Sequence, residues 1–165
     1  MKKVFTFCLI YFSAQNIFSQ DSNITLLGKL DPYPEKKYTD CWGYTDPTGR
    51  EYALMGVEDG TTIIDITNSA DPEEVAFIPG PVGPNYYWRD IKTHSHYAYI
   101  VSDNSGDSAG LQIVDLSQLP DTAFLVNNLQ AYFTTSHNLY IDNGYAYVVG
   151  TSGGGGIHIL DLSDP

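Results

Sequence analysis

The amino-acid sequence predicts an all-β protein, and three observations support that class. Thirteen Tyr and seven Phe are scattered among Val, Ile and Thr, which are residues that favour strands. Fifteen Gly and nine Pro are the composition of a chain with many tight turns. A hydrophobic content of 42% over 165 residues lies in the globular range and is enough for one ordinary domain with a core.

One phrase occurs three times in the chain, as GTTIIDIT, GLQIVDLS and GIHILDLS. Each copy has a glycine, an apolar strand, an aspartate, an aliphatic residue and then Thr or Ser. The aspartates are separated by 50 and 46 residues, and a period of this size indicates a repeat architecture. The shared positions are Gly60, Gly110 and Gly156 at the start, and Asp65, Asp115 and Asp161 near the end.

Further phrases divide each repeat into four strand candidates. YALMG, YAYIV and YAYVVG precede the glycine phrase, DCWGY, WRDIKT and SHNLYI come earlier still, and EEVAFIPG and TAFLVNN follow it. The segments IIDI, IVDL and ILDL are apolar at consecutive positions, so both of their faces are predicted to be buried between neighbouring sheets. The pattern predicts a β-propeller built of four-stranded antiparallel blades, with about three blades present over 39–85, 86–133 and 134–165. The last blade is incomplete.

Three blades do not close a ring, since propellers have about four to eight. The N-terminal phrase ITLLGKLDPY, from Ile24, resembles the fourth-strand phrase VAFIPGP, from Val75. The segment 21–38 is therefore predicted to include a closing strand, which would be the outer strand of the final blade. We expect this chain to be the N-terminal fragment of a longer propeller that has further C-terminal blades.

The repeated aspartates are predicted to be structural. Each stands at a strand end, where its carboxylate can accept hydrogen bonds from the turn that follows, and a proline fixes the bend of that turn. Three equivalent side chains on mid-blade strands do not converge on one substrate.

The first twenty residues predict a secretory signal peptide. Lys2 and Lys3 precede the apolar run Val4–Phe12, and small and polar residues lead to an expected cleavage near Gln20. The apolar run is too short to cross a bilayer. We therefore expect a secreted or cell-surface protein with no membrane span after signal removal.

Removal of this segment leaves six basic and twenty acidic residues, a net charge of −14. This charge argues against nucleic acid and anionic membranes as partners, and it fits either solubility in secretion or a cationic partner. Cys41 is then the one remaining cysteine, so no intramolecular disulfide can form. We expect Cys41 to be a small buried residue rather than a nucleophile.

Six ordered motifs between Tyr38 and Pro165 form a specific pattern: YTDCWGYTDPTGREYALMG, GTTIIDITNSADPEEVAFIPGP, WRDIKT, GLQIVDLSQLPD, SHNLYIDNGYAYVVG and GGIHILDLSDP. In this pattern the chain resembles the LVIVD-repeat proteins of the choice-of-anchor B family. The resemblance implies a bacterial extracellular β-propeller that a variable C-terminal segment attaches to the cell surface. It implies no established catalytic activity and assigns no active-site residues, so any catalytic residue stays unknown.

The innermost strand of each propeller blade lines the central channel, where ligands bind in many such folds. Alignment on the Tyr-Ala phrase places WRDI opposite SHNL, with DCW as the counterpart in the first blade, so polar and aromatic groups are expected to converge there. They would bind a polar ligand or a cation. Alternatively, Arg89 and Asp90 pair with each other and His137 caps an adjacent strand. The candidate ligand-binding residues are Asp40, Trp42, Trp88, Arg89, Asp90, His137 and Asn138.

The turn DNSGDS is the candidate metal site. Asp103, Ser105 and Asp107 place oxygen donors at alternating positions, as calcium loops do. The turn lacks the glycine and the distant glutamate of an EF-hand, so weak Ca²⁺ binding and a solvated acidic turn both remain open. The sequence requires no cofactor.

Two functions remain in competition. The first is a binding, adhesion or scaffold module for extracellular carbohydrate or protein, acting through rim loops and exposed aromatics such as Tyr86, Tyr87 and Trp88. The second is an extracellular hydrolase or lyase with a metal or an acid/base pair at the channel mouth. We favour the first because the sequence contains no nucleophile motif, no strong metal cluster and no carboxylate pair of recognisable spacing.

Overall fold

The computed structural model describes residues 24–83, 88–106 and 109–165, which form strands and turns with no helix among them. The predicted signal peptide at 1–20 lies outside the described residues. The predicted all-β class is confirmed.

The strands form three antiparallel sheets, and within each sheet consecutive strands are hydrogen-bonded neighbours. The first and second sheets have four strands each and the third has three. The first sheet consists of β1 (Tyr38–Thr45), β2 (Glu51–Val57), β3 (Gly60–Asp65) and β4 (Glu73–Pro79). The second consists of β5 (Arg89–His94), β6 (Tyr97–Ser102), β7 (Leu111–Asp115) and β8 (Phe124–Leu129). The third consists of β9 (Asn138–Asp142), β10 (Tyr145–Val149) and β11 (Ile157–Asp161). We call these sheets the first, second and third blades.

The second blade is packed between the other two, which explains why its strands are apolar at consecutive positions. Along β6, Ala98 and Ile100 belong to a core shared with the first blade. Tyr99 and Val101 point to the opposite face and belong to a core shared with the third blade. All four side chains are almost fully buried. Because side chains alternate between the two faces of a strand, a sheet that is covered on both faces needs apolar residues at consecutive positions.

The first strands of the three blades lie side by side, with β5 between β1 and β9. Their equivalence follows from the register of each first hairpin: Tyr44, His94 and Asp142 are each paired with the tyrosine that begins the Tyr-Ala phrase. Four residues earlier, the equivalent positions are Asp40, Asp90 and Asn138. These strands carry most of the side chains predicted to line the channel, and Trp88 and His137 directly precede β5 and β9.

The repeated aspartates each close a local turn at the end of the third strand of a blade. The backbone amides of Thr67, Ser117 and Ser163 donate to the Oδ1 atoms of the aspartates two residues earlier, at 2.9, 2.7 and 2.9 Å. A hydrogen bond from the Thr67 side chain, together with Arg50 and the Thr67 amide, lowers the pKa of Asp65, and the Ser163 amide lowers that of Asp161. The aspartate positions are Asp65, Asp115 and Asp161.

The repeated glycines begin the third strand of a blade or directly precede it. Gly110 and Gly156 have φ of 104° and 91°, which side-chain-bearing residues rarely adopt. At Gly60 the reason is space, since a Cβ would lie 2.4 Å from the carbonyl oxygen of Ile78.

The N-terminal segment runs along the first blade without forming a strand. Its second half is attached by a hydrogen bond from the Tyr33 hydroxyl to Glu74, at 2.6 Å, and by an ion pair between Lys36 and Asp59, at 2.7 Å. Residues 24–30 belong to no sheet and are mostly exposed. That the segment 21–38 includes the outer strand of the final blade stays a prediction.

Candidate functional site

A carboxylate connects each first strand to that of the next blade. Asp40 Oδ2 in β1 accepts a hydrogen bond from the backbone amide of Ile91 in β5, at 2.8 Å. Asp90 Oδ2, at the equivalent position in β5, accepts one from the amide of Leu139 in β9. We call this repeated contact the clasp. Burial raises the pKa of Asp40, and the nearby Asp90 raises it further, while the Ile91 amide and Lys92 oppose the change.

Lys92 neutralises both clasp carboxylates. Its ammonium group contacts Asp90 Oδ1, lies 3.7 Å from Asp40 Oδ2 and donates to the Ile91 carbonyl at 2.9 Å. It also lies 4.5 Å from the centre of the Trp42 ring, a cation–π geometry. The Lys92 side chain is only 14% exposed. A lysine held in this way stabilises two carboxylates that burial would otherwise destabilise.

Two aromatic side chains remain accessible on this row of first strands. Trp42 is 40% exposed and is held in place by a hydrogen bond from its Nε1 to the Thr93 hydroxyl, at 3.1 Å. Tyr140, at the position in β9 equivalent to Trp42 and Lys92, is 60% exposed and lies against the Tyr147 ring at 6.3 Å. The row therefore places the mostly buried Lys92 between two exposed aromatic residues.

Arg89 does not join this group. Its side chain is buried between the first two blades, where it donates to the carbonyl oxygens of Val57 at 3.0 Å, Pro81 at 2.8 Å and Glu58 at 3.2 Å. Burial lowers the pKa of the Arg89 guanidinium to about 10. The alternative in which Arg89 pairs with Asp90 is wrong as well, since Asp90 instead contacts Lys92 and the Leu139 amide.

His137 and Asp103 form a hydrogen-bonded pair between the second and third blades. His137 Nδ1 lies 2.8 Å from Asp103 Oδ2, with the His137 side chain 68% exposed. The hydrogen bond to Asp103 raises the pKa of His137 above its ordinary value. Asp103, expected in a calcium loop, thus has a partner in the protein. Ser105 is exposed and Asp107 lies outside the described residues, so weak calcium binding stays a prediction.

The pairing predicts the titration of His137. By NMR, its ring protons should titrate with a pKa above 6.5 in the native protein, and Asp103→Asn should return the pKa to about its ordinary value. Because the folded-state pKa is the higher one, the pair stabilises the fold below the unfolded pKa. That contribution is lost as the pH rises through the folded pKa. An unchanged His137 titration in Asp103→Asn would contradict the pairing.

The remaining predicted residues lie around this row. Asn138 is exposed at the clasp position of β9, and Trp88, which is 49% exposed, lies just before β5, where its carbonyl accepts from Ser102. Tyr86 and Tyr87 fall outside the described part of the chain. Cys41 is exposed, so the expectation of a buried cysteine is wrong: its side chain lies on the face of the first blade that is turned away from the second blade.

Within residues 24–83, 88–106 and 109–165, no three His, Cys, Asp or Glu side chains come together as a metal ion would need. The same ranges contain no helix with the length and apolar character required to cross a bilayer.

Lys92 is the site residue that the sequence analysis missed. Its signal was present, because Asp90 and Lys92 are two residues apart in a predicted strand and so share one face. What the local sequence could not show was the carboxylate of Asp40, fifty residues earlier, on the other side of the ammonium group.

Antiparallel blades with their first strands side by side define a propeller-like repeat protein. Two segments, 87–124 and 135–165, match the model of the LVIVD repeat, which supports membership of the LVIVD-repeat family. No curated protein matches it. The crystal structure of 1,3Gal43A, an exo-β-1,3-galactanase from Clostridium thermocellum, is similar over 78% of this chain and 30% of that one, at 13% identity and a TM-score of 0.39. The chain thus spans less than a third of that enzyme's length.

Proposed function

We propose that this LVIVD-repeat protein is a secreted or cell-surface-attached β-propeller of the choice-of-anchor B type. In this proposal it binds extracellular carbohydrate or protein through the row formed by Trp42, Lys92 and Tyr140. The observation that carries the proposal is the row itself, in which two exposed aromatic side chains flank a cation on adjacent strands. Aromatic faces beside fixed polar groups suit sugar rings and protein side chains alike.

The state of the carboxylates favours binding over catalysis. A hydrolase would need one carboxyl group free to give a proton and another free to attack or to activate water. Asp90 is 7% exposed in its side chain and bonds Lys92 through one oxygen and the Leu139 amide through the other. Asp40 bonds the Ile91 amide. Both carboxylates are therefore engaged in contacts that join neighbouring blades.

The alternative, an acid/base pair at the channel mouth, has one observation in its favour: burial and the neighbouring Asp90 raise the pKa of Asp40, as an acid catalyst requires. Turnover of glycosides or esters that is abolished by Asp40→Asn, in a variant that still folds and binds, would establish it.

The binding proposal is tested with Trp42→Ala. Calorimetric titration with soluble cell-wall polysaccharides, and pull-down of surface proteins, should identify a ligand for the native protein. Trp42→Ala should then weaken its affinity about tenfold, a loss typical of an aromatic residue at the centre of a binding site. Tyr132→Ala, which removes an exposed aromatic residue outside the row, is the control. Equal affinities for all three proteins would show that the row is not the binding site.

Secretion is a separate part of the proposal and has its own readout. N-terminal sequencing of protein recovered from the medium or cell surface should start near residue 21. Protein that stays inside the cell with Met1 intact would contradict this part.

A further inference from the structure

The positive charge of Lys92, next to Trp42, is already neutralised within the protein. An ammonium group has three N–H donors. That of Lys92 contacts Asp90 Oδ1, donates to the Ile91 carbonyl oxygen at 2.9 Å and lies 3.7 Å from Asp40 Oδ2. The Lys92 side chain is also mostly buried. Lys92 therefore has little capacity left to bind a negatively charged group of a ligand.

The carboxylates beside Trp42 outnumber this ammonium group. Asp40 and Asp90 face the single charge of Lys92, so the three side chains together carry a net negative charge. The whole chain is acidic too, with a formal net charge of −12. Like charges repel, and the repulsion is stronger where burial lowers the effective dielectric constant. A carboxylate or sulfate group of a ligand at Trp42 is therefore repelled.

A cationic ligand is disfavoured because the protein itself occupies the positions that a cation would take. The ammonium group of Lys92 lies over the Trp42 ring, 4.5 Å from its centre. A second cation on this ring would lie close to a like charge. Both oxygens of Asp90 and one oxygen of Asp40 already accept hydrogen bonds from the protein. These carboxylates are thus largely committed to contacts within the fold.

The groups that stay accessible at Trp42 suit an uncharged sugar. The ring is 40% exposed and its Nε1 is held by the Thr93 hydroxyl, so it offers an apolar surface of fixed orientation. The CH groups of a sugar ring can pack on such a surface. The Asp40 side chain is 31% exposed, and a carboxylate oxygen is a strong acceptor for a sugar hydroxyl. An uncharged ligand rich in hydroxyl groups matches both features.

We infer that the ligand of the row is an uncharged carbohydrate and that the row rejects polysaccharides with carboxylate or sulfate groups. This inference rests on the proposed function, because it names the ligand class of the same site. The contacts that carry it, those of Trp42, Lys92 and the two clasp carboxylates, lie in the first and second blades, which have four strands each.

Matched polymers test the inference, because they share a backbone and differ in charge. Soluble glucan, galactan and mannan are titrated calorimetrically beside the same polymers after oxidation of part of their C6 hydroxyls to carboxylates, with chitosan as the cationic polymer. At least one uncharged polymer should bind, and Trp42→Ala should weaken this binding about tenfold. The oxidised form should bind the native protein about tenfold more weakly at low salt, and added salt should reduce the difference.

Two variants that each remove one charge assign the rejection to the clasp. Asp40→Asn keeps an oxygen for the Ile91 amide and removes a negative charge beside Trp42. It should lower the affinity ratio between the uncharged and the oxidised polymer severalfold. Asp71→Asn, at an exposed aspartate between β3 and β4, removes the same charge elsewhere and should leave the ratio unchanged. The salt dependence is measured on the native protein and so does not depend on either variant.

The outcomes distinguish this inference from the proposed function. An oxidised polymer or chitosan that binds as tightly as the uncharged polymer, with an affinity that Trp42→Ala still lowers, overturns the ligand class and leaves the row as the binding site. Capture of surface proteins without binding to any polymer also overturns the inference alone. Equal affinities of the native protein and Trp42→Ala for every bound ligand overturn both, as does the absence of any ligand.

Discussion

Replacement of Asp90 by alanine is expected to lower the free energy of unfolding by about 3–5 kcal/mol, the range seen when one partner of a buried ion pair is removed. The change leaves the Leu139 amide without its acceptor. Lys92, whose side chain is 14% exposed, keeps Asp40, at 3.7 Å, as its only carboxylate partner among the described residues. Urea unfolding followed by tryptophan fluorescence measures the effect.

A double-mutant cycle separates this contact from a general effect of the substitution. Lys92→Met removes the other charge, and the combined Asp90→Ala, Lys92→Met protein should lose less stability than the sum of the single losses. Asp71→Ala, at an exposed aspartate of the first blade, should change stability by less than about 0.5 kcal/mol. An Asp90→Ala protein within about 1 kcal/mol of the native one would contradict the clasp.

Tyr99→Ala should cost about 3–5 kcal/mol, as truncation of a buried aromatic side chain does. Tyr99 is fully buried in the core between the second and third blades, where it packs with Leu139 and Val148. The loss should separate these two blades, and hydrogen exchange of the β9 and β10 amides measures it alongside chemical unfolding.

Tyr99→Phe is the matched control, because it keeps the ring and removes only the hydroxyl. That hydroxyl is buried and has no hydrogen-bond partner among the described residues. Its removal should change stability by less than about 1 kcal/mol, since no bond is lost. A large loss in Tyr99→Phe would show that the hydroxyl has a partner and that the loss in Tyr99→Ala does not come from the ring alone.

The sequence by itself determined the blades. The Gly-to-Asp phrase and the Tyr-Ala phrase are local signals, because strand pairing between neighbours and turn closure by Asp65 and its counterparts depend on residues close together in the chain. Burial on two faces depends on other blades, but it leaves a local run of consecutive apolar residues. Because these signals recur at a regular period, the sequence alone predicts the repeat architecture.

Only the tertiary structure decided which of the candidate residues act together. Arg89, grouped with Asp90 by adjacency, points the other way because neighbouring residues in a strand face opposite sides. The clasp joins a side chain to a backbone amide about fifty residues away, in another blade. Any residue except proline offers that amide, so the identity of the donor residue does not encode the contact. It exists only once the blades have packed.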